Sequence, residues 1–197
     1  MERQKTVIGV VGVLVGFVIG YFAGQLREPV FPGAAFSQAD GAVSGELPED
    51  HPSPELMLQL EHWRQDALEN PQDKRTRVSL ANAYFDMQRF DSAIPWFEEA
   101  LALDPVDINV ITDLATSYLY LGHVERAIEL YQNSLELEAD HPQTLQNIGI
   151  AFFATRHYTE AVRYWERLLG AHPEYPHAEQ IRLQIEKAKA EINKGDS

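Results

Sequence analysis

The side chains that could bind a metal or move a proton in this chain are seven histidines and thirty acidic residues. Their spacing argues against both kinds of chemistry. His123 and His157 occupy matching turns of neighbouring helical units, which helix packing would hold ~10 Å apart. A shared zinc ion needs bonds of about 2 Å. His172 and His177 flank the loop Pro-Glu-Tyr-Pro, with no third ligand nearby. The pair Asp104 and Asp107 reads as a solvated helix end rather than acid–base machinery. There is no cysteine, hence no disulfide, thiol nucleophile or haem-attachment motif. A nucleophile elbow, a phosphate-cradling glycine loop and a dinucleotide fingerprint are all missing. The expectation is a chain with no catalytic residue, no metal and no cofactor, which is not an enzyme.

The net charge of −14 is unevenly spread. Up to residue 28, Arg3, Lys5 and Arg27 outweigh Glu2 and Glu28, so the acidity belongs to the rest of the chain. Such a surface repels phosphate backbones, and nucleic acid is not an expected partner.

Thr6–Gly24 carries no charge. As a helix it would extend about 28 Å, close to the thickness of a bilayer's hydrocarbon core. The residues read as a single transmembrane helix over 6–24. Arg3 and Lys5 precede it, and after Arg27 no further base comes until Arg64. That asymmetry puts a 1–5 tail in the cytoplasm and the remainder across the membrane. A cleaved signal peptide is the alternative, disfavoured by the length of the run and by Phe22 where cleavage wants a small residue. Gly12, Gly16, Gly20 and Gly24 form one stripe that would let such helices pack closely or self-associate. Residues 25–52 mix Pro, Gly, Ser and acids without apolar periodicity and read as a flexible linker reaching ~30 Å.

From 74 to 175 the chain repeats every 34 residues, in windows 74–107, 108–141 and 142–175. Each reads as two amphipathic helices joined by a tight turn. The first helices supply Leu80, Ala81 and Tyr84, then Leu114, Ala115 and Tyr118, then Ile148, Gly149 and Phe152. The second helices supply Ala93 and Phe97, Ala127 and Tyr131, Ala161 and Trp165. Small residues facing small residues allow close packing, and the aromatics fill the space beside them. Turns are expected at Gln88-Arg89, Gly122-His123 and Arg156-His157. Asp91 as N-cap would put Pro95 in a first turn, where its missing N–H costs little. Residues 53–73 read as the second helix of a degenerate half-repeat, with Leu56, Leu60, Trp63 and Ala67 on one face. Residues 176–193 read as a solvating cap, with the stripe Ala178, Ile181, Ile185, Ala188 and Ile192.

This pattern resembles the tetratricopeptide repeat (TPR) family. Leu80, Tyr84, Ala93, Phe97 and Pro105 match its motif, whereas Arg77 stands in place of its tryptophan and Ala81 in place of its glycine. The resemblance implies an all-α, right-handed superhelix of three full repeats, preceded by the half-repeat helix and closed by the capping helix. It also implies a concave wall built by the first helices. The residues carried onto that wall are Arg75, Val78, Asn82, Phe85 and Asp86; Asn109, Thr112, Thr116, Leu119 and Tyr120; and Gln143, Gln146, Ile150 and Phe153. Amides and hydroxyls there could bond a peptide backbone, and Phe85, Leu119, Ile150 and Phe153 could seat an apolar anchor. TPR domains that clamp carboxylate tails of chaperones use lysine, arginine and asparagine where this chain has Val78, Asn82, Asp113, Gln143 and Asn147. Only Asn82 agrees, so that ligand is not expected.

The resulting expectation is a membrane-anchored scaffold that holds a protein or peptide ligand, with its repeats in the bacterial periplasm or outside the cell. By layout it is similar to anchored TPR accessory proteins of the secretion translocon or of cytochrome c maturation. The alternative is a structural protein that self-assembles into a homo-oligomer through the glycine stripe and the repeat surfaces.

Overall fold

The computed structural model describes residues 53–195. They form eight helices: α1 Pro54–Glu69, α2 Lys74–Asp86, α3 Phe90–Leu103, α4 Ile108–Tyr120, α5 Val124–Leu137, α6 Pro142–Ala154, α7 Tyr158–Ala171 and α8 Ala178–Gly195. The first helices α2, α4 and α6 begin 34 residues apart, and so do the second helices α3, α5 and α7. Each helix packs on its neighbours in sequence, and α4 also touches α6 directly. The result is a stacked superhelix.

Local chemistry sets the starts. Ser53 caps α1, its hydroxyl accepting from the Leu56 N–H at 3.2 Å, and Pro54 sits where no helical donor is needed. Asp73 and Asp107 cap α2 and α4 in the same way, accepting from Arg75 and Val110. Pro142 opens α6.

The ends of the first helices share one device. The N–H groups of Arg89, His123 and His157 donate to the carbonyls of Tyr84, Tyr118 and Phe152, at 2.8, 2.9 and 2.9 Å. The preceding residues Gln88, Gly122 and Arg156 are left-handed, with φ of 57°, 82° and 63°. Together these bonds satisfy carbonyls that the helix cannot, and they reverse the chain into the second helix.

Ala81, Ala93, Ala115, Ala127 and Ala161 have no exposed surface, nor do Phe97 and Tyr131 between them. The core runs as one cluster from Leu60 to Ala151 and a second around Leu145, Trp165, Leu168 and Ile181. At the family's tryptophan position, Ile111 and Leu145 are buried and so is Arg77. The Arg77 guanidinium pairs with Glu99 at 3.0 Å and donates to the carbonyls of Ala67, Asn70 and Asp73. It thereby closes the C-terminal end of α1, where the helix dipole favours a cation.

Two expectations are corrected. Over the described residues the fold class is an all-α superhelix without a transmembrane helix, because no helix there is long and apolar enough to cross a membrane. The span expected over 6–24, its stripe Gly12, Gly16, Gly20 and Gly24, and the linker 25–52 lie outside the described residues. Asp91 is not an N-cap either. Helix α3 begins at Phe90 after Arg89, so Pro95 falls inside the helix, past its first turn. The reversal described above fixes that early start, and the helix loses the bond that a Pro95 N–H would have made.

Candidate functional site

Two side-chain bonds stitch the first helices together along one wall. The Gln143 amide of α6 donates to Asp113 Oδ1 of α4 at 3.2 Å, and the Asn147 amide donates to Thr116 Oγ1 at 3.1 Å. The Thr116 hydroxyl donates to the Thr112 carbonyl at 2.8 Å and accepts from the Tyr131 hydroxyl at 2.9 Å. The wall is therefore continuous from α4 to α6 and is faced with polar groups.

The fourteen residues expected there separate into three sets. Arg75, Asn82, Asp86, Asn109 and Gln143 are exposed, while Val78, Phe85, Tyr120, Ile150 and Phe153 are half-buried. Thr112, Thr116, Leu119 and Gln146 are buried. Thr112 is fully enclosed: its hydroxyl donates to the Ile108 carbonyl and bonds Ser134 and Thr144 at 3.1 and 2.7 Å. The Gln146 carboxamide oxygen accepts from the Tyr175 hydroxyl. Leu119 belongs to the main core.

The aromatics are also engaged. Phe85 sits edge-on to Phe90 at 5.2 Å and to Phe97 at 6.4 Å. Phe90 stacks on Tyr120 at 4.6 Å. Phe153 packs against Tyr158 and Trp165. These rings are hairpin packing first, and Phe85, Phe90, Tyr120 and Phe153 are left half-buried.

Asp113 is the only charged side chain that α4 and α6 contain. Burial pushes its carboxyl up to about 6, the Gln143 bond opposes the shift, and the carboxylates Asp107 and Asp86 add to it. Among the described residues it makes no ion pair, whereas Asp107 is matched by Lys74 at 2.8 Å. At one end of the wall, beside Asp86, lies an open cleft of about 540 Å³ between α1 and α2. It is lined by Leu56, Trp63, Ser79, Asn82, Ala83, Asp86 and Met87.

Sequence reasoning had Leu56 and Trp63 only as a core stripe, and Asp113 only as a mismatch to another ligand's clamp. The cleft had one available signal: residues 53–73 read as the second helix of a half-repeat, and among the described residues no first helix stands before it. Among the described residues, no group of three or more His, Asp or Glu could hold a metal ion. His123 and His157 lie edge-on to Tyr118 and Phe152, and His141 bonds Thr144 through Nδ1 at 2.8 Å.

Family models described as tetratricopeptide repeat match residues 75–107 and 112–176. No curated protein matches the chain. Among solved structures, the first TPR of Spaghetti (RPAP3) bound to the HSP90 peptide SRMEEVD is similar at TM-score 0.57 and 22% identity, over 62% of this chain and 94% of that one. MamA is similar at TM-score 0.59 and 14% identity, over 71% and 80%. The Arabidopsis OM64 TPR domain is similar at TM-score 0.55 and 17% identity, over 58% and 94%. At such identities these likenesses concern the fold.

Proposed function

The chain is a tetratricopeptide repeat protein, and we propose that it works as a binding scaffold that holds a polypeptide partner against the wall of its first helices. The observation that carries this reading is the wall itself. Exposed Asn82, Asn109 and Gln143 present amides able to bond a peptide backbone, and the α1/α2 cleft that Asn82 lines is large enough to seat a side chain. RPAP3 binding a peptide on the same fold supports the reading by analogy of architecture. The proposal assigns no reaction to the chain.

The test is site-directed photocrosslinking in native extract. A photoreactive residue at Asn82 or Gln143 is expected to capture a discrete partner. One at Gln132 or Asn133, exposed on the second helix α5, is expected to capture none. Capture from α5 alone would remove the first-helix wall as the binding face.

A further inference from the structure

We propose that the partner segment, on the reading just given, carries a lysine or arginine that docks at Asp113 and Asp86, with a neighbouring apolar side chain in the α1/α2 cleft. The cleft combines two features that select one occupant. Leu56, Trp63, Ala83 and Met87 make it apolar, and its rim carries Asn82 and Asp86. The Asp86 carboxylate adds to the upward push on the Asp113 carboxyl. Charge on this stretch of wall is therefore negative, partly desolvated and unmatched by a cation among the described residues, while Lys74 is already held by Asp104 and Asp107.

A half-buried carboxylate left unpaired disfavours folding, and an incoming ammonium or guanidinium would relieve that cost. The groups facing Asp113 are Gln143 from α6, Asp86 from α2 and Asp107 from the turn before α4. Asp86 and Asp107 are anions, Asp107 being matched by Lys74, and the Gln143 side chain, which donates to Asp113, also carries an oxygen that can accept. An acidic tail would meet repulsion at the same place. The chain's own 25–52 segment is a poorer match. It offers Arg27 against Glu28, Asp40, Glu46, Glu49 and Asp50. Charge complementarity thus favours a basic partner over both.

A displayed random-peptide library, panned against the full chain and against an Asp86→Asn/Asp113→Asn variant, tests this, with circular dichroism reporting the fold. Wild-type selections are expected to be enriched several-fold in Lys and Arg next to an aromatic or aliphatic residue. The variant is expected to lose the basic enrichment and keep the apolar one. Enrichment in Asp and Glu, or equal basic enrichment from both proteins, would overturn the proposal. A third panning, on Asn82→Arg, separates the two levels. Neutral peptides lost on that variant would leave the wall as a binding face and remove only its preference for cations. Selections indifferent to it would remove the wall as well.

Discussion

Trp165 occupies the space that a side chain at position 149 would need. A Cβ built on Gly149 would lie 2.2 Å from Trp165 Nε1, closer than atoms can approach. The indole also donates to the Gln146 carbonyl at 3.1 Å. The equivalent pairs in the first two repeats are Ala81 with Phe97 and Ala115 with Tyr131, all buried. The third repeat thus exchanges a methyl on one helix for a larger ring on the other at similar total volume.

That exchange predicts a coupled response. Gly149→Ala should destabilise the fold by about 2–3 kcal/mol, because the indole has no room to retreat. Adding Trp165→Phe, which recreates the pair found in the first repeat, should recover much of the loss. Urea titration of both single variants and the double variant measures the coupling. Purely additive effects would contradict the packing described.

The three left-handed turn residues should respond oppositely to substitution. Gln88→Gly and Arg156→Gly should each stabilise by roughly 0.5–1 kcal/mol, because a side chain at positive φ is strained. Gly122→Ala should cost about 1 kcal/mol through the backbone alone, since a Cβ there would meet nothing within 4 Å. Thermal unfolding distinguishes the signs.

Asp113 makes stability depend on pH. Its carboxyl titrates near 6 in the folded chain and near 4 in an unfolded one. The unfolded state therefore releases the proton first as pH rises, and the contribution of this group to stability falls between about pH 4 and 6. Asp113→Asn should stabilise the protein by about 1–3 kcal/mol at pH 7. Below pH 4 the two proteins should converge. Denaturant midpoints measured across that range decide it. A variant less stable at pH 7 would mean that the carboxylate contributes a bond rather than a cost.

Arg77→Ala should destabilise by about 2–4 kcal/mol, leaving the carbonyls at the end of α1 without their donor. The loss should appear first as faster amide hydrogen exchange in α1, with α4 to α7 little changed, because each helix depends mainly on its neighbours in the stack.

Much of this protein was written in its residue pattern. The 34-residue period located the three hairpins, because each must bury one apolar stripe against the next. The alternation of small and aromatic residues identified which helix faces meet. The identity of the exposed wall was not legible. Thr112, Thr116, Leu119 and Gln146 stand one turn from the core positions, as wall residues should, yet all four are buried. A first helix in a stack touches its own second helix, the second helix before it and, more narrowly, the next first helix, and these contacts take in residues which periodicity alone would leave in water. Ser134 on α5 and Thr144 on α6 enclose Thr112 in this way. The same stacking turned Asp113 from a mismatch into a half-buried carboxylate. It also opened the α1/α2 cleft where the half-repeat ends. Helical period determines which face of each helix is apolar; only the placement of neighbouring helices decides which remaining side chains solvent, or a partner, can reach.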